Sequence, residues 1–133
     1  MLLADKISRK QYDHEYYLRN RDKFIAYNKK WAKDHPEELR ARNRKYYHAQ
    51  RDKILAAYGN KCTCCGETEK VFLDIDHVNG GGAAERRETN CTYRYLASII
   101  NRGFPKDYQL LCSNCNKAKR ILGVCPHQSR EVS

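Results

Sequence analysis

The segment KCTCCGETEKVFLDIDHV, residues 61–78, combines two features that decide the fold of this chain. It begins with the paired cysteines Cys62 and Cys65, and Gly66 follows where a metal-binding turn needs a residue that tolerates positive φ. Apolar and polar residues then alternate over residues 70–78, which is typical of a β-strand. The segment therefore predicts a metal-binding turn that leads into a strand ending in two acids and a histidine.

A second cysteine pair, Cys112 and Cys115, lies in YQLLCSNCNKAKR, residues 108–120. Two C-x-x-C pairs separated by an intervening segment predict a tetrahedral zinc ion with four cysteine ligands. A redox pair and buried thiols are the alternatives. Cys64 would replace Cys62 as a ligand only in a tighter turn. Isolated cysteines are usually buried or inert, so no role is assigned to Cys91, Cys125 and His127.

The residues after the first strand predict three further elements: a helix over 91–103, a strand over 107–112 and a helix over 113–122. A strand, a long connection, a strand and a helix make one compact unit when both cysteine pairs hold the same ion. We expect this unit to bring the Asp76-His77 pair close to Asn116, although about 40 residues separate them in the chain.

Asp76, His77 and Asn116 are residue types suited to hydrolysis of a phosphodiester bond. That reaction needs a base for the attacking water and a cation that neutralises developing charge. Neutral histidine accepts a proton near pH 7, and Asp and Asn oxygens are ligands for a hard cation such as Mg²⁺ or Mn²⁺. Asp74 lies on the same strand face as Asp76, either as a ligand or as its support. The alternative is a polar strand end entering the glycine-rich turn at 80–82.

The composition favours a polyanionic partner. Lys and Arg number 26 against 16 Asp and Glu, which gives a formal net charge of +10 and a pI near 9.3. Nucleic acid is the first expectation and an anionic membrane surface the second. No apolar run approaches the roughly 20 residues that span a bilayer. The odd count of seven cysteines and the absence of a secretory signal predict a cytoplasmic, reducing compartment.

An internal repeat occupies residues 1–60, which we interpret as a separate basic helical arm. EYYLRNRDKFIA (15–26) aligns with KYYHAQRDKILA (45–56), and KWAKDHPEELRA (30–41) fits the same template. The repeat predicts three short helices joined by tight turns, or one long helix kinked near Pro36. Aromatic residues at helical spacing within it form one apolar stripe: Phe24, Tyr27 and Trp31.

Basic side chains in three places are expected to contact DNA phosphates, with a solvated surface as the alternative. They lie in the repeats, in the connection between the two strands and on the last helix: Arg21, Lys23, Arg51, Lys53, Arg86, Arg87, Arg94, Lys117, Lys119 and Arg120. Such contacts supply affinity with little sequence specificity.

The motifs CTCCG, LDIDHVNGGG, YRYL and PKDYQLLCSNCNKAKR, within residues 61 to about 122, together resemble the HNH endonucleases, specifically the small zinc-bound phage-type members. The resemblance implies an α+β, treble-clef-like ββα-metal domain over residues 61–125, with 126–133 as a tail. It also implies that Asp76 binds the catalytic cation and that His77 is the general base. Tyr-rich repeats precede many such domains, where we expect them to contact DNA.

Two positions depart from the family pattern. The position after the second cysteine pair is often His and here is Asn116; phage junction-resolving nucleases of the same superfamily place a metal-binding Asn there. The family's loop-tethering Asn aligns with Asp107. The expectation is a metal-dependent DNA endonuclease, phage-encoded and acting in a host cell. The rival hypotheses are a zinc module that binds DNA or RNA without cutting, and a nuclease for branched DNA.

Overall fold

The computed structural model describes residues 8–89 and 91–130. Expectations that fall on residues 1–7, 90 and 131–133 lie outside these described residues. The chain is α+β, and its described elements follow in this order: α1 (Arg9–Asp34), α2 (Pro36–Ala57), a 3-10 turn (Lys70–Phe72), β1 (Leu73–His77), α3 (Gly82–Thr89), α4 (Thr92–Asn101), β2 (Tyr108–Cys112), α5 (Ser113–Leu122) and α6 (Pro126–Arg130).

The N-terminal repeat forms two long helices rather than three short ones. Ser8 caps α1 in a reciprocal pair of hydrogen bonds with Gln11. A single residue, His35, separates α1 from α2, because a proline at 36 disfavours helical backbone in the residue before it. The His35 N–H donates to the Trp31 carbonyl at 2.9 Å, and the two rings stack with centroids 4.9 Å apart. The expected interruption near Pro36 is therefore present.

The aromatic stripe of α1 does not form a core. The helix has no buried residue, and Tyr27 is 67% exposed. Tyr17 stacks on Phe24 with centroids 5.9 Å apart, and the Arg42 guanidinium lies 5.2 Å from the centre of the Trp31 ring. Phe24 and Tyr27 of the stripe are thus exposed, and Trp31 is half-buried.

The contacts divide the chain into two units between Arg44 and Lys45, whereas the internal repeat predicts an arm that ends at residue 60. The second unit begins within α2 because Ile54 and Leu55, near the end of that helix, are fully buried. Ile54 packs with residues of α4, and Leu55 packs with Leu73 and the cysteine cluster. The second unit therefore takes its first helical segment from the last copy of the repeat.

An antiparallel two-stranded sheet of β1 and β2 forms the centre of the second unit, and α5 packs against both strands. Leu73 pairs with Cys112 at one end, and His77 pairs with Tyr108 at the other. The first strand is shorter than the 70–78 alternation predicts, because residues 70–72 make a 3-10 turn. The predicted second strand and last helix agree with β2 and α5 to within one residue.

Two short helices were not predicted. The run Gly80-Gly81-Gly82 was expected to be a flexible loop, yet only Gly80 and Gly81 have positive φ, and Gly82 begins α3. Residues Pro126–Arg130, assigned to a tail, form α6. Among the described residues, no helix is both long enough and apolar enough to cross a membrane.

Candidate metal centre and acidic cleft

The four cysteines of the two C-x-x-C pairs converge on one point. The sulfur atoms of Cys62, Cys65, Cys112 and Cys115 all lie within 4.8 Å of one another. The Cys65 and Cys112 sulfurs are 3.6 Å apart. A tetrahedral zinc ion with Zn–S bonds of about 2.3 Å holds its sulfurs roughly 3.8 Å apart. The predicted convergence is confirmed, and this set can hold a metal such as zinc.

Two similar turns position these cysteines. The Cys65 N–H donates to the Cys62 sulfur, and the Cys115 N–H donates to the Cys112 sulfur, each at 3.5 Å. Gly66, at φ +80°, lets the first turn close. Cys112 ends β2 and caps α5, so the change from strand to helix itself brings the second pair together.

The backbone prepares Cys62 for metal binding. Burial alone would raise its pKa, but hydrogen bonds from the backbone of Cys65, Cys112 and Cys64 lower the pKa of Cys62 to about 7. Burial and the surrounding thiols instead raise the pKa of Cys115. Because a metal binds the thiolate, occupation of the site releases protons.

Cys125 and His127 are not spare residues, and Cys64 is not merely an alternative to Cys62. The ligand atoms of Cys64, Cys125 and His127 lie within 4.8 Å of one another and of the Cys115 sulfur. Gly123 ends α5 in a left-handed conformation, after which the chain reaches Cys125, which is buried. The sequence signal for this second group was the close spacing of Cys125 and His127, with one proline between them. Cys91, which precedes α4, belongs to neither group.

His77, the last residue of β1, is held on several sides. Its Nε2 makes a hydrogen bond with the Glu85 carboxylate on α3. Its ring centroid lies 4.7 Å from that of Tyr108 and 6.2 Å from that of Tyr95. A Cβ added at Gly82 would lie 2.7 Å from His77 Nδ1, so this position has no room for a side chain beside the ring.

Glu85 connects His77 to two further residues. The Tyr108 hydroxyl donates to Glu85 Oε1 at 2.5 Å, and Arg102 Nη2 donates to the same oxygen at 3.1 Å. Burial alone would raise the pKa of Glu85, but the hydrogen bonds from Tyr108 and His77 and the charge of Arg102 lower it. The carboxylate is therefore ionised at neutral pH. Because an ionised carboxylate only accepts hydrogen bonds, His77 Nε2 is the donor in this bond, and Nδ1 is the nitrogen that a neutral imidazole would have left to accept a proton.

The Asp76 carboxylate accepts hydrogen bonds from two residues that the sequence did not predict as its partners. Lys119 Nζ donates to Asp76 Oδ2 at 2.6 Å, and Gln109 Nε2 donates to the same oxygen at 2.9 Å. The Lys119 ammonium also donates to the carbonyls of His77 and Val78, at 2.8 and 3.2 Å. Lys119, expected to contact phosphate, is thus anchored to the end of β1.

Asn116 lies in the expected region but contacts a different acid. Its amide donates to Asp74 Oδ2 at 3.4 Å, whereas Asp76 bonds to Lys119 one turn further along α5. Asp74 and Asp76 share one face of β1, so the two acids meet successive turns of the helix. Asp74, Asp76, His77 and Asn116 all line one cleft of about 760 Å³.

The remaining predicted residues have mixed environments. Asp107 acts through its backbone: its carbonyl accepts a hydrogen bond from the Val78 N–H at 2.8 Å, which ties the end of β1 to the start of β2. Arg51 donates to the carbonyls of Lys70 and Leu73, a structural contact. The other basic side chains assigned to DNA are exposed, and their role stays a prediction: Arg21, Lys23, Lys53, Arg86, Arg87, Arg94, Lys117 and Arg120.

Sequence reasoning missed Glu85 and Lys119 as partners of the site. Glu85 follows the glycine run, which indicated a loop, and its spacing to His77 has no local pattern. Lys119 stands three residues after Asn116, so a helix starting at 113 would have placed the two on one face.

Searches against protein-family models, curated proteins and solved structures found no match for this chain.

Proposed function

We propose that the chain is a metal-dependent DNA endonuclease of the HNH type. The observation that carries the proposal is the hydrogen bond between His77 Nε2 and the Glu85 carboxylate at the wall of a cleft lined by acids. A histidine oriented by a carboxylate is the arrangement that prepares an imidazole to accept a proton. The order of β1, β2 and α5, with cysteine pairs before β1 and across the β2–α5 junction, supports a ββα-metal domain.

His77 supplies the base. Glu85 holds the proton on Nε2, so Nδ1 takes the proton of the attacking water. The water oxygen bonds to phosphorus as the bond from phosphorus to the 3′-oxygen breaks, and the leaving oxygen takes a proton from solvent. Gly82 keeps the Nδ1 edge free of a side chain. Tyr108 and Tyr95 fix the plane of the ring, which limits the orientations that the base can adopt.

The oxygen donors of the cleft fit a hard divalent cation such as Mg²⁺ or Mn²⁺. Asp76 and Asn116 would hold it, and Asp74 would support Asn116 through the 3.4 Å hydrogen bond. When bound, such a cation neutralises charge at the phosphate and at the leaving oxygen. Lys119 already neutralises one Asp76 oxygen, so the ammonium either shares that carboxylate or moves toward the phosphate.

Positive charge supports DNA as the substrate. The net charge is +10, and exposed basic residues occur on α5 beside the cleft, including Lys117 and Arg120. The exposed Tyr, Lys and Arg side chains of α1 suit contact with the sugar-phosphate backbone of double-stranded DNA.

The test is conversion of supercoiled plasmid to nicked or linear DNA by zinc-loaded protein, with Mg²⁺ and with EDTA. We expect metal-dependent cutting by wild type. His77→Ala is expected to lose cleavage by about 10²-fold or more while binding DNA normally. Asp76→Ala should also lose cleavage, and Glu88→Gln, an exposed site on α3, is the control.

Equal cleavage by His77→Ala and wild type would end the proposed mechanism. Binding without any cutting would direct the test to a four-way junction, the substrate expected for a junction-resolving nuclease. Failure on both DNA forms would favour a zinc module that binds nucleic acid without catalysis.

A further inference from the structure

We propose that Cys64, Cys125 and His127, together with Cys115, form a second zinc site next to the Cys62, Cys65, Cys112 and Cys115 set. Cys115 belongs to both groups, so its thiolate would bridge two zinc ions. This inference is independent of the nuclease proposal, because it rests on residues outside the cleft.

The distances suit zinc. His127 Nδ1 lies 3.4 Å from the Cys115 sulfur, 3.4 Å from the Cys125 sulfur and 4.0 Å from the Cys64 sulfur. In a tetrahedral site with Zn–N of about 2.0 Å and Zn–S of about 2.3 Å, nitrogen and sulfur stand roughly 3.5 Å apart. All four ligand atoms lie within 4.8 Å of one another.

Hydrogen bonding alone does not explain the cluster. One imidazole nitrogen has a single donor or acceptor direction, yet His127 Nδ1 faces three sulfur atoms. A zinc ion in the centre of the four atoms satisfies all of them at once. Cys115 is fully buried, and its thiol interacts with the thiols of both groups, including Cys112 and Cys125.

The local fold supports a built site. Gly123, at φ +78°, reverses the chain after α5, and Cys125 is only 5% exposed. The Cys125 carbonyl accepts from Gln128 N–H at 2.9 Å, which begins α6 and fixes the C-P-H segment. The second site adds no net charge, because two zinc ions with six thiolates and a neutral imidazole carry the same net charge as one zinc ion with four thiolates.

A second zinc would attach the C-terminal segment to the metal centre. Cys64 lies in the first cysteine turn, Cys115 in α5 and Cys125 and His127 after it, so one ion would link the first turn to the C-terminal segment. A domain with a small core gains most from such a link.

The experiment measures zinc per chain in the full-length protein, by elemental analysis and by native mass spectrometry. We expect two zinc ions in wild type and one in His127→Ala and in Cys64→Ser. Cys91→Ser is the matched control and should keep two, since Cys91 lies outside both groups. One zinc in wild type, unchanged in His127→Ala, would overturn the proposal.

Loading the wild-type protein with ¹¹³Cd gives a second test, which needs no variant and so does not depend on whether a variant folds. Two resonances are expected, one for a four-sulfur site and one for a site with three sulfurs and one nitrogen, coupled to each other through the Cys115 sulfur. A single four-sulfur resonance at saturating cadmium would overturn the second site.

Discussion

His77 and Glu85 form a direct hydrogen bond between the last residue of β1 and the middle of α3. They stand eight residues apart, with the Gly80-Gly81-Gly82 turn between them. The bond defines which imidazole nitrogen is free, and Tyr108 and Arg102 hold Glu85 in turn. In the proposed mechanism, Glu85 positions the base.

Replacing Glu85 by Gln should lower the DNA cleavage rate by about 10²-fold or more, because the imidazole loses the carboxylate that fixes its tautomer. DNA affinity should not change, because Glu85 points toward His77. Single-turnover cleavage and a binding assay measure the two quantities. The ¹⁵N shifts of His77 should show Nε2 protonated in wild type and a mixture of tautomers in the variant. A rate equal to that of the control Glu88→Gln would contradict the role.

Gly82→Ala should reduce stability, although alanine favours a helix by about 0.5–1 kcal/mol over glycine. Gly82 has no positive φ, so its backbone accepts alanine, but the new Cβ would lie 2.7 Å from His77 Nδ1. In a His77→Ala background the same substitution should be neutral or stabilising. Chemical denaturation at fixed zinc concentration gives the unfolding free energies for this double-mutant cycle. We expect a coupling of about 1 kcal/mol between the two substitutions. A coupling near zero would show that the ring moves away freely.

Arg21 and Arg51 hold matching positions in the repeat, yet we expect their substitutions to differ. Arg51→Gln should lower the free energy of unfolding by about 1–3 kcal/mol, because it removes hydrogen bonds to the Lys70 and Leu73 carbonyls. Arg21 is exposed, so Arg21→Gln should change stability by less than about 0.5 kcal/mol.

The same Arg21→Gln variant tests the DNA-binding arm. We expect the slope of log K against log salt to fall by about 0.9, the loss of one phosphate contact. Binding titrations at several salt concentrations give the slope. An unchanged slope would show that α1 does not contact phosphate through Arg21.

Lys119→Met should lower the free energy of unfolding by about 1.5–3 kcal/mol, because it removes the ammonium that donates to Asp76 and to two strand-end carbonyls and leaves Asp76 with Gln109 as its donor. Lys117→Met, at an exposed site on the same helix, is the control and should change it by less than about 0.5 kcal/mol. Equal unfolding free energies for the two variants would mean that the Lys119 contacts contribute nothing net.

Local patterns predicted much of the second unit because local forces decide it. The cysteine spacing requires tight turns with N–H···S bonds, and the bounds of α5 follow from a cap at Cys112 and a left-handed Gly123. The break in the arm follows from the steric effect of Pro36 on His35. Each of these signals lies within a few residues of its effect.

Other features depend on contacts between distant residues. The repeat suggests one arm, but its last copy is buried through Ile54 and Leu55, which pack with residues of β1, α4 and β2 much later in the chain. A glycine run reads as a loop whether or not a helix follows it, so α3 and Glu85 could not be expected.

The sequence by itself determined the two cysteine turns, the strand that ends at His77 and the helix that carries Asn116, since caps, alternation and ligand spacing act locally. Only the tertiary structure decided that Asn116 meets Asp74, that Lys119 holds Asp76, that Glu85 orients His77 and that His127 joins the cysteines. Those pairings depend on how α3, α5 and the segment that begins at Cys125 lie relative to the two-stranded sheet, and burial of the shared core sets that arrangement.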